Sequence, residues 1–515
     1  MKRSTIGALL LLVLGGLAVV GWYFLRPLLF ERGQLRTSDA TGQEVTLRFG
    51  GDNYLGYWFL TSPEMRKQAA RKGLAIQFED DGGAYAERLA KFANGEYDAI
   101  VLPVNSYLQH GAGVDFPGVI VASISESQGA DGIVAFADAL PQGKISELND
   151  AELEIVYTSA SPSEFLLDLT IADFDLDELR AGARWRVEVG SSREVYKRAK
   201  SNQGDVFVLW EPDLSRALSL PGIRYVWGSD RFSGYIVDVM VFRRELLEEE
   251  RPALSSFLDT YFQVLHGYSL NPEKMIDEMR KSTDLDRDAI RALLPKIDWF
   301  DLEENRRGQF GIGREVGEVV EDGLINTILS CTDVMLRSGR LERDPLEGNP
   351  FLITNSSLLE ELVKSRAAAP IATDEEDVVF EPLEEADWQR LSEVGTFRLE
   401  PITFQTWNNR LTDEGKASID KIAQLLKHHY PSYRVVIRGH TAPGGDEEAN
   451  ERLSLERAQG VEQYLKAVHG IDPNRMLAQG MGSSQPPRRK PGESPRAYRY
   501  RLSRVEFTAV GANVL

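Results

Sequence analysis

Val435 to Leu465 reads VVIRGHTAPGGDEEANERLSLERAQGVEQYL, and its changes of period decide the fold of the last quarter of the chain. Tyr433, Val435 and Ile437 alternate with Arg434, Val436 and Arg438, which predicts a half-buried strand. A glycine-rich turn follows. The spacing of Ala458, Val461, Leu465 and Val468 then predicts a helix from Ser454 to His469 with those four side chains buried and Gly470 as its stop. Working outward, Ile402 to Phe404 reads as a strand and Thr412 caps a helix whose Ile419, Ile422, Ala423 and Leu426 share one face. Arg504 to Val510 supplies a last strand. The result is a compact α+β module.

Upstream, Arg366 to Asp387 combines an AAAP run with eight acidic residues and no Lys or Arg after Arg366, a self-repelling linker. Before it, Leu47 to Phe49, Ala75 to Phe78, Ala99 to Val104, Gly118 to Ala122, Leu153 to Thr158, Val206 to Trp210 and Val237 to Phe242 are strand candidates. Amphipathic helices lie between many of them, such as Ala84 to Ala93 with Tyr85, Leu89 and Phe92 on one face. Alternating strands and helices imply mostly parallel sheets covered on both sides. From Glu245 to Leu362 the pattern turns helical, with Leu254, Phe257, Leu258, Tyr261 and Leu265 as one stripe.

The 515 residues exceed one small domain, and 42% hydrophobic with 27% charged residues excludes wholesale disorder. A net charge of −20 repels phosphate backbones and argues against nucleic acid as a partner. Lys2 and Arg3 precede Ile6 to Leu25, an uncharged run long enough to cross about 30 Å of hydrocarbon, flanked by Trp22 and Tyr23. This predicts an uncleaved, single-pass inner-membrane helix with the bulk of the chain in the periplasm. A cleaved signal peptide is the competing reading, but no clear small-x-small site precedes a mature start.

Catalytic signatures are missing. The sequence contains no G-x-x-x-x-G-K-[ST], H-E-x-x-H or G-x-S-x-G, so no cofactor and no enzymatic activity are expected. The six histidines are scattered, and no metal site is expected. Asp284, Asp286 and Asp288 mimic a calcium loop, yet Ala289 and Pro295 stand where Gly and Glu belong, and Thr283 with its acidic followers reads instead as a helix start. The single cysteine, Cys331, falls in the apolar helical pattern Leu324, Ile328, Cys331, Met335 and reads as core.

From Val45 to Leu362 the chain resembles the periplasmic solute-binding proteins of nitrate, sulfonate and taurine uptake. The resemblance rests on GGDNYLGYWFL (Gly50 to Leu60), GLAIQFEDDGGAYAERLAKFANGEYDAIVLPVNSYL (Gly73 to Leu108), VFVLWEPDLSRAL (Val206 to Leu218) and IVDVMVFRRELLEEERPAL (Ile236 to Leu254). It implies an α/β fold of two lobes with a ligand between them, where strand ends meet helix amino termini. The candidate contacts just past strand ends are Asn53, Tyr54 and Tyr57; Asn105, Ser106 and Tyr107; Ser159, Ser161 and Ser163 with Thr158 in TSASPSEF; and Trp210 with Glu211. Free N–H groups and hydroxyls at a helix start make an anion site, and plain N-capping is the competing reading for those serines. Glu211 is a residue to select an amine or amide over a pure anion. The implied ligand is a small polar or anionic solute.

Phe397 to Val510 closely resembles the OmpA-like peptidoglycan-binding domain, on Val435 to Leu465, IDPNRMLAQGMGSSQP (Ile471 to Pro486) and SRVEF (Ser503 to Phe507). In that family an acidic residue after G-H-T and the arginine of L-S-x-x-R-A clamp the diaminopimelate of the cell-wall peptide. By resemblance Thr441, Asn450 and Arg457 are the peptidoglycan contacts. The acidic position is Ala442, which implies weak binding unless Asp446 reaches the same ammonium. Phe404-Gln405 and Leu502-Ser503 depart from the family pattern too.

The expected architecture is therefore α/β: a transmembrane anchor (1–32), a two-lobed periplasmic-binding-protein fold (45–362), an acidic linker (363–396) and a small OmpA-like domain (397–515). The expected function is that of a membrane-anchored envelope solute-binding protein for ABC-type uptake or sensing, with an ABC permease or other envelope proteins as partners. The alternative is an envelope scaffold that has lost its solute.

Overall fold

The computed structural model describes residues 45–283, 285–313, 320–366, 380–398, 402, 404, 411–444, 446–489 and 493–511. The expected transmembrane helix at 6–25 lies outside these residues, and no described helix is long and apolar enough to cross a membrane. The strands are β1 (Val45–Gly51), β2 (Leu74–Asp80), β3 (Ala99–Pro103), β4 (Gly118–Ser127), β5 (Asp131–Phe136), β6 (Ile155–Thr158), β7 (Arg186–Val189), β8 (Val206–Trp210), β9 (Ile223–Gly228), β10 (Val237–Arg243), β11 (Ile297–Trp299), β12 (Ser392–Phe397), β13 (Arg434–His440), β14 (Met476–Gly480) and β15 (Arg504–Gly511). The helices that matter below are α1 (Tyr85–Ala93), α2 (Val104–Gly111), α3 (Pro162–Asp173), α4 (Ser192–Lys200), α5 (Arg251–Ser269), α6 (Gly323–Arg337), α7 (Asp413–Gln424) and α8 (Glu447–His469).

The chain divides into two compact units, one drawn from 1–101, 117–119 and 240–284 and the other from 102–116, 120–239 and 285–515. In the first, β1 pairs in parallel with β2 from Val45 opposite Leu74 to Gly51 opposite Asp80, and Phe49 of β1 lies opposite Ala99 of β3. Parallel neighbours need a crossover, supplied by helical turns between β1 and β2 and by α1 between β2 and β3. Tyr85, Leu89 and Phe92 of α1 are buried, as is the stripe Leu254, Phe257, Leu258, Tyr261 and Leu265 of α5. The Phe49 ring meets Phe257 at 5.1 Å. Contrary to the expected helix start at Thr283, its hydroxyl bonds back to the Met279 carbonyl at 2.8 Å and so closes the preceding helix.

The second unit holds a five-stranded sheet in the order β7-β6-β8-β5-β9. β6 is parallel to β7 and β8, while β5 runs antiparallel to β8 and β9. All twelve residues of α3 are buried, as are Leu324, Ile328, Cys331 and Met335 of α6. Burial pushes the Cys331 thiol up and keeps it unreactive. β11 pairs antiparallel with β4, placing Asp298 opposite Glu126. Asp286, not Thr283, caps the helix Arg287–Leu293, accepting from the Ala289 N–H at 2.8 Å.

The same unit contains a four-stranded sheet, β12-β15-β13-β14, built from the carboxyl-terminal module. β12 comes from the stretch read as linker and pairs with β15. Phe380 and Trp388 of that stretch are buried beneath the Arg434 guanidinium, so 380–397 folds with the module. α8 starts earlier than expected, at Glu447, with Asp446 as its N-cap. It packs close: a Cβ on Gly439 of β13 would stand 2.0 Å from the Ser454 carbonyl oxygen, so only glycine fits there. Ala458, Val461 and Leu465 are buried as expected, but Val468 is 59% exposed. Gly470, in the left-handed conformation, turns the chain back so that Ile471 donates to the Leu465 carbonyl and takes the core position instead. Of the expected strand Ile402 to Phe404, Phe404 forms an isolated bridge with Leu411.

This module is seated on the rest of its unit through aromatic side chains. Phe397 stacks on Phe174 with ring centroids 5.7 Å apart, and the Tyr430 hydroxyl donates to the buried Asp173 carboxylate. His429 stacks on Tyr235 at 4.0 Å. Ser233 donates its N–H to the His429 carbonyl at 2.7 Å, and the His429 ring returns a 2.7 Å bond to the Ser233 carbonyl. Burial holds the His429 imidazole below its ordinary range, against the pull of that carbonyl, so the ring is neutral and its Nδ1–H is the donor.

Candidate functional site

Parallel β6, β7 and β8 end at one edge of the five-stranded sheet, and antiparallel β5 begins there. Thr158 closes β6, Trp210 closes β8, and Asp131 opens β5 directly opposite Trp210. Three helices start at this edge: α3 after β6, α4 after β7 and Asp213–Leu218 after β8. Strand ends with helix amino termini above them form the crevice in which open α/β sheets hold ligands.

Several buried polar atoms at this edge have no hydrogen-bond partner among the described residues. They include Thr158 Oγ1, Ser163 Oγ and Asp131 Oδ1, on residues that are 5%, 0% and 4% exposed. His110, at the end of α2, hydrogen-bonds the Ala160 backbone, and its Nε2 is buried without a partner. Burial holds this imidazole below its ordinary range, against the opposing pull of that backbone bond. Ala160 sits at φ 51, a strained conformation for a side chain with a Cβ. Asn105 Oδ1 and Ser106 Oγ in the first turn of α2 are likewise buried and unpartnered.

The remaining expected contacts are otherwise engaged. Ser159 is exposed, and Ser161 turns its hydroxyl onto the Thr158 carbonyl at 2.7 Å instead of capping α3. Tyr107 packs edge-on against Phe116 in the core. The Trp210 ring is half-buried. Glu211 is paired with Lys296 and accepts from the Ser215 hydroxyl at 2.7 Å and the Ser215 N–H at 3.1 Å, which leaves it closing a helix start. Asn53, Tyr54 and Tyr57 belong to the other unit. Asn53 is exposed, Tyr54 donates its N–H to Asp52 at 3.0 Å, and its ring meets Tyr57 edge-on at 5.3 Å. That turn is organised by Arg88, fully buried, which binds Asp52 at 2.9 Å, Asp81 at 2.5 Å and the Val101 carbonyl at 2.5 Å.

Sequence reasoning missed His110, Asp131, Arg88 and Glu164. For Glu164 a signal existed: Ser161 and Glu164 have capping-box spacing, and the Glu164 carboxylate accepts from the Ala160 N–H at 2.8 Å. A cavity of about 280 Å³ lies elsewhere in the unit, lined by Phe310, Asp322, Ile325, Phe351 and Asn355 among others, and contains none of the expected contacts.

In the carboxyl-terminal module, Thr441 follows β13 with its N–H bonded to the Gly482 carbonyl at 2.8 Å and its buried hydroxyl unpartnered. Asn450 holds the glycine-rich turn by donating to the Gly444 carbonyl at 2.8 Å. Asp446 accepts from the Glu448 N–H at 2.9 Å. Arg457 donates to the Ser503 hydroxyl at 2.6 Å and lies 5.2 Å over the Phe404 ring. No carboxylate pairs it among the described residues, its Nε is buried without a partner, and burial lowers its pKa. A half-desolvated guanidinium without a counter-charge is a carboxylate receptor. Beside it, the His440 ring stands 3.3 Å from Glu506. Burial alone raises the Glu506 carboxyl, but the His440 contact and the Arg504 guanidinium outweigh it and hold it at about 2.

Comparison with known proteins separates the two parts of the chain. It is 36% identical over 85 residues to outer membrane protein Omp38 of Acinetobacter baumannii, 16% of this chain and 24% of that protein. It is 37% identical over 93 residues to outer membrane protein A of Klebsiella aerogenes, 18% and 26% of the two chains. The chain thus spans about a quarter of the length of the curated relatives it matches. Upstream, the alkanesulfonate-binding protein SsuA from Xanthomonas axonopodis superposes with a TM-score of 0.45 at 13% identity, over 59% of this chain and 96% of that one. The periplasmic nitrate-binding protein NrtA from Synechocystis superposes with a TM-score of 0.46 at 11% identity, over 63% and 90%. The OmpA family model matches residues 403–500, and this part of the chain is an OmpA-family module.

Proposed function

We propose that the chain is an envelope solute-binding protein that holds a small polar solute at the carboxyl edge of its five-stranded sheet and contacts the cell wall through its OmpA-family module. The observation that carries this reading is the set of buried, unpartnered polar atoms on Thr158, Ser163 and Asp131 at that edge. Buried polar groups are otherwise hydrogen-bonded, so such a set calls for a ligand. The run Ile6 to Leu25 anchors the protein in the inner membrane with the rest in the periplasm, and an ABC permease or a sensing partner receives the solute. The OmpA-family match and the names of its outer-membrane relatives support placement in the envelope. Arg457 binds the carboxylate of a wall peptide, and Ala442 leaves the peptide's ammonium without a partner. No catalytic role is assigned.

The test is thermal stabilisation of the full chain by candidate solutes, since a ligand that binds only the folded state raises the melting temperature saturably. A scaffold is the second reading, favoured by the Tyr430–Asp173 contact that seats the module inside the second unit. It predicts no saturable shift.

A further inference from the structure

Given that the carboxyl edge is a solute site, its charges narrow the solute. An oxyanion at such an edge is held by free N–H groups at helix starts, but here a carboxylate of the chain itself stands at each of the three starts and repels one. Glu164 accepts from the Ala160 N–H ahead of α3 at 2.8 Å. Glu194 accepts from the Gly190 N–H ahead of α4 at 3.4 Å. Glu211 accepts from the Ser215 N–H of the helix Asp213–Leu218 at 3.1 Å.

The cations that reach these groups are matched. Arg340 binds Glu164 and Asp168, both at 2.6 Å, and Lys296 binds Glu211. One buried carboxylate at this edge has no such match. Asp131 accepts from the Ser127 hydroxyl at 2.7 Å through Oδ2, its Oδ1 is unpartnered, and no basic side chain pairs it among the described residues. A buried carboxyl without a counter-charge keeps its proton, and a bound cation is the partner that lets it ionise. On the same face of the sheet, directly opposite Asp131, lies the half-buried Trp210 ring, whose face attracts cations. Over that face lies α3, whose Asp168 shares Arg186 with Tyr157 of the same face and whose Ser163 hydroxyl is unpartnered.

We infer that the solute is a small hydrogen-bond-donating cation of the primary amine or amidine class, held by Asp131 and Ser163 against the Trp210 ring, and not an oxyanion. The inference rests on the solute-site reading above and reverses the sign of charge that the nitrate and sulfonate resemblance implies.

The test is thermal shift and titration calorimetry on the full chain at fixed ionic strength. The probes are ethanolamine, putrescine and agmatine, set against nitrate, sulfate and ethanesulfonate. At least one amine should stabilise saturably, and Asp131→Asn should weaken it by about tenfold or more, the loss expected for a hydrogen bond to a charged group. Ser163→Ala, which leaves the charge in place, should weaken it by about threefold or more. A saturable shift with an anion, reduced by Ser163→Ala, overturns the inference and leaves the solute reading standing. An amine shift that neither substitution changes overturns the placement at this edge. No saturable shift with any of the six probes overturns the solute reading itself.

Discussion

The Tyr430 hydroxyl donates to the Asp173 carboxylate at 2.6 Å, with both residues 1% exposed. Arg337 pairs with the same carboxylate at 3.0 Å, and Tyr235 donates to it at 3.3 Å. A buried charge is thereby shared between the last helix turn of α3, the end of α6 and the OmpA-family module. The module is part of the core of its unit, and the first prediction concerns that core.

Tyr430→Phe keeps the ring and its packing against Phe397 but removes one bond to a buried charge. It should cost about 1.5 to 3 kcal/mol of stability, read as a lower urea midpoint with an unchanged slope. Tyr464→Phe, which loses a bond to the more exposed Asp420, should stay within about 0.5 kcal/mol of the parent. Equal effects of the two substitutions would show that the module is not seated through Asp173.

Stability should fall as pH rises from about 4 toward 8. Burial pushes the Glu126 carboxyl up to about 8 and the Asp131 carboxyl up to about 7. Between the ordinary carboxylate pKa near 4 and those values, the folded chain keeps protons that the unfolded chain has released, so the stability they provide is lost across that window. Glu126→Gln and Asp131→Asn should each flatten the decline, the first mainly up to pH 8 and the second up to pH 7. The lowered Glu506 carboxyl acts in the opposite sense, its contribution being lost as pH drops from about 4 toward 2. Urea midpoints across the pH range read all three.

For wall binding, Ala442→Asp should strengthen co-sedimentation of the chain with purified peptidoglycan by roughly ten- to hundredfold, the worth of a charge-assisted partner of about 1.5 to 3 kcal/mol. Arg457→Ala should abolish what the parent retains. If the parent already binds as tightly as Ala442→Asp, another carboxylate serves. Asp446 is then the first candidate, although it already caps α8.

Arg88→Met should be among the most damaging single substitutions in the first unit. It leaves Asp52 and Asp81 buried without their shared cation, a loss of about 3 to 5 kcal/mol. The surface pair offers a contrast: Lys91→Met removes partly exposed contacts to Glu79 and Glu87 and should cost about 1 kcal/mol or less. Urea denaturation ranks the two.

Much of the scaffold was legible because its central strands are continuous apolar runs. Val206 to Leu209 and the β6 end of Leu153 to Thr158 are buried on both faces and stand out in the sequence. β7 (RVEV) and β9 (IRYVWG) are half-buried edge strands with charged side chains, so they lack that signal, and β5 is a short run opened by Asp131 and Gly132. The site was less legible than the scaffold. Ser159, Ser161 and Ser163 look equivalent in sequence, but one is exposed, one turns to its own backbone, and only the third points an unpartnered hydroxyl into the interior. The engagement of Glu211 by Lys296 joins residues far apart in the chain, and no local pattern announces it. The same holds for Asp173 and Tyr430. The OmpA-family stretch was readable to its turn, except where the reversal at Gly470 exchanged Val468 for Ile471.

The reciprocal bonds between Ser233 and His429 also have a mechanical meaning. A pull on the module loads those two bonds and the Tyr235–His429 stack together with the Tyr430–Asp173 bond. Ser233 lies a few residues before β10, so a load on the module arrives at a strand of the sheet scaffold.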